Sequence, residues 1–220
     1  MSLPFLERLS SELTLPRRAE NARAAYAAEL SYGRWRGPAP DGAKEAAVII
    51  LLCENSGRAS LADPLKRWQF PLTLRPEHLP RHGGQISLPG GELEQGETHW
   101  QAAVRELEEE LGVPPARVLQ LGALSPLYVF ASNYRVIPYV AACEDVPFWR
   151  PQANEVAEVF EMSLHHLSDT NHLKRPRLTR NGVTFHAPCI LHENRQIWGA
   201  TCLILGELIA AINATETLAV

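Results

Sequence analysis

A layered α/β or α+β fold is predicted for this 220-residue chain. Three observations predict it. Short apolar runs of β character alternate with stretches of helical spacing. Helices are expected near both ends and in the middle, so no large block of the chain is of one type. The composition, 45% hydrophobic and 21% charged, is that of a globular protein without internal repeats or low-complexity segments.

In chain order, residues 1–35 are expected to be helical, because "RRAENARAAYAAEL" is rich in alanine and other good helix formers. "GPAPDG", residues 37–42, is a turn-rich linker, which divides an extension over 1–42 from a main domain over 43–215. "AAVIILLC" (46–53) is a short apolar run suited to a buried strand. "ENSGRASLADPLKRW" is a polar loop, and "QFPLTLR" is the strand expected to pair with the one before it. "RVLQLGALSPLYV" and "YRVIPYVAAC" are two more strands, and "EVAEVFEM" is a short one. "GVTFHAPCILHENRQIW" resembles a hairpin, and "GATCLILGELIAAINA" is an amphipathic helix that closes the domain.

Charge and cysteine usage exclude several classes. A net charge of −4 gives no electrostatic footprint for nucleic acid or anionic membrane. Cys53, Cys143, Cys189 and Cys202 are far apart and form no C-x-x-C pair, so neither a zinc site nor a disulfide framework is expected. No apolar run approaches the roughly 18–20 residues needed to span a bilayer. "MSLPFLERLSSELTL" carries Glu7 and Glu12 where a signal peptide needs a clean apolar stretch. The expected setting is the cytoplasm, with no nucleic-acid or membrane partner.

The most informative stretch is "LPGGELEQGETHWQAAVRELEEELGV", residues 88–113. Thr98 and Gln101 form a T-x-x-Q capping box that starts a helix, and Gly112, Pro114 and Pro115 stop it. Trp100, Val104, Leu107 and Leu111 fall on one apolar stripe. Glu106, Glu109 and Glu110 share a different face, while Glu108 lies off it. Carboxylates crowded at a helix C-terminus repel one another and face the negative end of the dipole, at about 0.3–1 kcal/mol each. Converging oxygens offset this if they hold a hard divalent cation such as Mg²⁺. A solvated acidic face is the alternative. Gly90 and Gly91, just upstream, let backbone approach an ion or a phosphate closely.

In the pattern G-x5-E-x7-R-E-U-x-E-E-x-G-U, with U aliphatic, the stretch matches at Gly91, Glu97, Arg105, Glu106, Leu107, Glu109, Glu110, Gly112 and Val113. It resembles the signature of the Nudix hydrolases, the box spanning 91–113. The resemblance implies an α/β/α sandwich with a mixed β-sheet, a loop-helix-loop catalytic motif, and Mg²⁺- or Mn²⁺-dependent hydrolysis of a nucleoside diphosphate derivative. Carried onto this chain, it makes Glu106 and Glu110 metal ligands, with Glu109 and the Gly90 carbonyl as further ones. Glu97 and Arg105 become a pair bracing the loop against the helix. Glu106, Glu109 and Arg105 form the implied catalytic set. The general base is open between Glu109, preferred, and Glu155 of "NEVAEV", which is equally an ordinary strand-edge charge.

"LTLRPEHLPRHGGQISLPGG" (72–91) is in turn similar to the extra motif of the coenzyme A pyrophosphatase branch, through Leu72, Thr73, Arg75, Arg81, His82, Gly84, Gln85, Ile86, Pro89, Gly90 and Gly91. Pro76 and Leu88 depart from it, at positions where serine and phenylalanine are usual. This likeness implies that Arg75, Arg81, His82 and Gln85 contact the substrate, coenzyme A or a derivative, which is cleaved to 3′,5′-ADP and 4′-phosphopantetheine. Arginines suit that task because they bind phosphate oxygens bidentately. ADP-ribose, NADH or dinucleoside polyphosphates are the rival substrates, and a non-catalytic ligand sensor on the same fold is the rival function. A homodimer is left open. Two remaining clusters are expected to be bland: His165 and His166 as surface or capping residues, and "HLKRPRLTR" (172–180) as a solvated basic loop.

Overall fold

The computed structural model describes residues 3–15, 19–28, 38–55, 63–80, 82–180 and 182–217. Helices α1 (Leu3–Thr14) and α2 (Ala19–Ala24) precede β1 (Lys44–Glu54), the short α3 (Pro64–Arg67) and β2 (Trp68–Leu74). Then come β3 (Ile86–Ser87), β4 (Gly90–Glu92), α4 (His99–Leu111), β5 (Leu119–Ala123), β6 (Leu127–Val129), β7 (Tyr134–Cys143) and β8 (Glu158–Ser163). The last part holds α5 (Leu164–Ser168), β9 (Leu173–Lys174), β10 (Arg177–Arg180), β11 (Val183–His186), β12 (Cys189–His192), β13 (Arg195–Trp198) and α6 (Ala200–Thr217).

β1 organises the molecule. It runs parallel to β7 from Lys44 opposite Tyr134 to Cys53 opposite Cys143, and antiparallel to β2 and β4. The main sheet is therefore mixed, with β3, β5, β6 and β8 completing it. A central strand covered on both faces is apolar along its length, which is why "AAVIILLC" shows no alternation of polar and apolar residues. Parity still sorts its side chains. Ala47, Ile49, Leu51 and Cys53 join Ala103, Leu107 and Leu111 of α4 in one core. Ile50 and Leu52 join Leu205, Leu208 and Ile212 of α6 and Phe5, Leu9 and Leu13 of α1 in the other. Helices thus lie on both faces of one sheet, the expected α/β/α layering. Helix α1 is a member of the second layer, with Ser10 Oγ donating to the Leu121 carbonyl at 2.7 Å.

Local differences from the sequence expectation have local causes. Residues 117–129 are two strands, because Pro126 brings no N–H to a ladder and the Ser125 N–H is taken by the Glu207 carboxylate at 3.0 Å. Residues 182–198 hold half of one hairpin and the whole of another: β11 pairs back with β10, and β12 pairs with β13. The tight reversals at Gly182 and Glu193, both at positive φ, set these pairings. The basic segment 172–180 is accordingly not a loop but supplies β9 and β10. Helix α6 is buried nearly all round rather than amphipathic, since α1 and α2 cover the side turned away from the sheet. Within the expected polar loop, residues 56–62 lie outside the described residues, and Asp63 caps α3 through the Leu65 N–H. His166 is half-buried, stacked on His172 at 3.7 Å between ring centres and edge-on to His192. Among the described residues, no helix is long and apolar enough to cross a membrane.

Candidate active site

The central helix is built as its sequence dictates. Thr98 Oγ1 accepts from the Gln101 N–H and the Gln101 side chain accepts from the Thr98 N–H, closing the capping box. Gly112 ends the helix in the left-handed conformation at φ 72°, returning its N–H to the Glu108 carbonyl. Ala102, Ala103, Val104, Leu107 and Leu111 bury one side against the sheet. Glu106 and Glu110, one turn apart, then point at the gap between α4 and β4.

Two glycines make that gap. β4 lies beside β1 with Gly90 opposite Val48 and Gly91 opposite Ala47. Gly90 has φ 145°, and a Cβ there would collide with the Ala47 carbonyl and the Val48 backbone. A Cβ on Gly91 would collide with the Glu106 carboxylate. A side chain at Gly91 would fill the space beneath Glu106, and one at Gly90 would push β4 off β1.

Glu110 is 2% exposed. Burial pushes its carboxyl up to about 8, and the nearby Glu106 and Glu155 charges push the same way. Arg75 and a backbone hydrogen bond from Gly90 oppose the rise. Its Oε2 is buried with no hydrogen-bond partner. Burial also raises the Glu106 carboxyl, with Arg105 pulling it back and Glu109 and Glu155 adding to the rise. Glu155, exposed in the turn before β8, completes the group: one oxygen from each of Glu106, Glu110 and Glu155 lies within 4.8 Å of the others.

Glu109 stands apart from that group. Its side chain is 56% exposed and Oε2 accepts from Arg105 Nη1 at 2.9 Å. Arg105 binds four partners at once. Nε and Nη2 grip Glu97 at 2.8 and 3.2 Å, Nη1 also reaches Glu106 Oε1 at 2.9 Å, and Nη2 reaches the Glu92 carbonyl at 3.1 Å. Arg105 holds the Glu97 carboxyl below its usual range. The arginine therefore ties the loop before α4 to the carboxylates on it.

The predicted substrate contacts lie beyond β2. Arg75 exchanges backbone hydrogen bonds with the far arm of its turn, its N–H donating to the Gln85 carbonyl and its carbonyl accepting from Gly84 N–H, both at 3.0 Å. Its charge is felt at Glu110. His82, at φ 58°, and Gln85 partner each other, with His82 Nδ1 2.8 Å from Gln85 Oε1. Arg81 lies outside the described residues. The structure thus gathers Glu106, Glu110, Gly90 and Gly91 in one place within reach of the Arg75 charge, adds Glu155, and sets Glu109 to one side on Arg105.

The group fits a hard divalent cation. All its donors are oxygens, one buried oxygen has no other partner, and the glycine cradle leaves room. The sequence marks Glu155 only as an alternative general base, not as a member of the acidic group; the segment that delivers it is held by backbone bonds that carry no residue signature.

Comparison with known proteins identifies a family. The family model of the NUDIX domain matches residues 43–181. A Yersinia enterocolitica protein described as an uncharacterized Nudix hydrolase, NudL, is 33% identical over 163 residues, covering 72% of this chain and 83% of the relative. A Yersinia pestis protein of the same description is 33% identical over 144 residues, covering 64% and 71%. Among solved structures, a MutT protein from Methanosarcina mazei is 16% identical with a TM-score of 0.49, over 77% of this chain and 94% of that one.

Proposed function

The chain belongs to the Nudix hydrolases, enzymes that hydrolyse the pyrophosphate bond of nucleoside diphosphate derivatives and generally use divalent metals, and from that premise we propose that it is a coenzyme A pyrophosphatase. One observation carries the reading: a buried, unpartnered Glu110 oxygen inside a carboxylate group that also feels the charge of Arg75. A metal cradle beside an arginine is what a substrate with both a pyrophosphate and a separate phosphate monoester requires.

In this proposal Glu106, Glu110 and Glu155 hold Mg²⁺ or Mn²⁺. The bound cation would polarise phosphoryl oxygens and lower the pKa of attacking water. Arg75, with Arg81 from the same motif, would bind phosphate oxygens of the substrate. His82 and Gln85 shape the turn that presents Arg75, each occupying the other's polar atom. Arg105 fixes the Glu106 carboxylate, so the site is set before substrate arrives. Glu109, exposed to solvent and steadied by Arg105, would accept the proton of the attacking water. Water adds to one phosphorus of the anhydride, the bridging P–O bond breaks, and 3′,5′-ADP and 4′-phosphopantetheine leave. We place the enzyme in the cytoplasm, where its substrate class is found among soluble metabolites, and take 1–42 as an extension whose α1 packs on the hydrolase domain.

Mass-spectrometric identification of products from coenzyme A, its 3′-dephospho form, ADP-ribose and NADH, each with and without divalent metal, tests the reading. Metal-dependent release of 4′-phosphopantetheine is expected, with 3′,5′-ADP from coenzyme A and AMP from the dephospho form, and faster from coenzyme A. Preference for ADP-ribose or NADH would refute the substrate assignment while leaving the metal site standing.

A further inference from the structure

Glu155 reaches the acidic group from residues 144–157, which join β7 to β8 without helix or strand. Such a segment places a side chain only as well as its own anchors allow. Its backbone is fastened to the end of α4: the Arg150 N–H donates to the Leu111 carbonyl at 2.9 Å and the Gln152 N–H to the Glu110 carbonyl at 3.0 Å. These are carbonyls that a helix end leaves without intrahelical partners. The Gln152 carbonyl in turn accepts from Glu155 N–H at 2.9 Å and Val156 N–H at 2.8 Å, and Ala157 N–H donates to the Leu74 carbonyl at 2.8 Å. The stem of Arg150 lies so close over Gly112 that a Cβ there would sit 2.9 Å away.

A side-chain tie crosses the segment. Trp149 packs against the core under α4, and its Nε1 donates to Glu161 Oε1 at 2.7 Å. Glu161 lies on β8 opposite Pro71 of β2. The tie closes a loop from 149 to 161 with Glu155 midway along it, and a closed loop samples fewer positions than an open one. The indole is partly buried, and its hydrogen bond to a carboxylate is of the stronger, charge-assisted kind.

We propose that Trp149, through its indole N–H to Glu161, is a positioning residue that sets where Glu155 stands relative to Glu106 and Glu110. It thereby sets how tightly the acidic group holds a divalent cation. This rests on the metal-holding role given to that group above. Neither Trp149 nor Glu161 is a member of the group, so both act through Glu155.

Mn²⁺ binding to the full chain, followed by the electron paramagnetic resonance of the free ion, tests this. Trp149→Phe and Glu161→Leu should each weaken binding about tenfold, the lower end for partners that orient metal ligands. Glu161→Gln, whose amide oxygen still accepts the indole N–H, should bind within about twofold of the wild type. In a Glu155→Gln background, Trp149→Phe should cause no further loss, because two changes acting through one group do not add. Undiminished binding by Trp149→Phe and Glu161→Leu, or an equal further loss in the Glu155→Gln background, overturns the positioning role alone. Absence of Mn²⁺ binding by the wild type overturns the metal-holding role and this inference with it. Should Trp149→Phe not fold, the pair Glu161→Leu and Glu161→Gln makes the same comparison.

Discussion

Glu207 on α6 and Glu110 on α4 are both nearly removed from solvent, at 0% and 2% exposure, but their surroundings differ in kind. Glu207 Oε1 accepts from the N–H and the Oγ of Ser125 at 3.0 and 2.8 Å. Its Oε2 lies 2.6 Å from Arg23 Nη2, a charge contact whose angles miss hydrogen-bond geometry. Arg23 Nη2 and Nη1 also donate to the Ser125 and Pro126 carbonyls. That carboxylate is answered from within the protein, and it fastens the N-terminal helices to α6. Glu110 has an arginine only at a distance, two carboxylates close by, and an oxygen with no partner. Burial of a charge is tolerated when it is paired. In the proposed function, the unpaired one is where a bound divalent cation would complete the structure.

The comparison breaks most sharply if Arg23 is removed. Arg23→Leu leaves Glu207 buried without its cation and should cost about 3–5 kcal/mol of stability in urea unfolding. Mn²⁺ affinity should be unchanged. A loss below about 1 kcal/mol would mean that the Glu207 network is not what answers its charge.

Glu110→Gln should do the reverse. Neutral amides are poor Mg²⁺ ligands, and a metal supplies several kcal/mol of transition-state stabilisation, so kcat should fall about a hundredfold or more. The metal-free protein should be at least as stable as the wild type, because the cost of burying and protonating that carboxyl has gone. Near-wild-type turnover at low Mg²⁺ would sink the assignment, and Glu106→Gln provides the parallel measurement.

Linkage sharpens the contrast further. The Glu110 carboxyl is raised from an ordinary 4.5 to about 8 in the folded chain, so folding favours its protonated form. The metal-free protein therefore carries no penalty from this group below about pH 4.5 and an increasing one as pH rises toward 8. Its melting temperature should fall over that window, by about 2–4 °C for each kcal/mol of penalty. A divalent cation should raise the melting temperature more at pH 8 than at pH 6. Glu110→Gln should flatten both trends; an unchanged pH slope in that variant would assign the effect to other groups.

The smallest effect is at the opposite end of the same helix. Thr98→Ala removes the capping box and should cost about 1 kcal/mol in the same unfolding assay. Because the cap lies more than two turns from Glu106 and Glu110, Mn²⁺ affinity should hold; a drop would show that the fraying of α4 reaches the site.

Much of this arrangement is legible in the sequence. β7 runs over Tyr134–Cys143, the segment marked by its apolar content, and α4 begins and ends at its capping residues, because strand burial and helix capping are written in adjacent residues. Glu106 and Glu110 are legible together for the same reason, being one turn apart. Periodicity puts Glu109 on their face too, but it cannot see Arg105 drawing that carboxylate away. Glu155 reaches them through a segment fixed by main-chain bonds to α4, which any sequence could make. The partner exchange among β10 to β13 is equally opaque, since four short strands of similar composition pair according to which turn closes them. The burial of α6 on all sides depends on α1 and α2, which precede it by almost the whole chain.

That last arrangement has a consequence for synthesis. The core under α4 draws on residues no later than Val159, so it can close while the chain is still being made. The opposite face of the sheet waits for Leu205, Leu208 and Ile212, which emerge from the ribosome about fifty residues later. Until then Phe5, Leu9 and Leu13 of the first helix have a sheet to lean on but no third wall. A half-made chain therefore presents one finished side and one greasy one, a natural landing place for a chaperone.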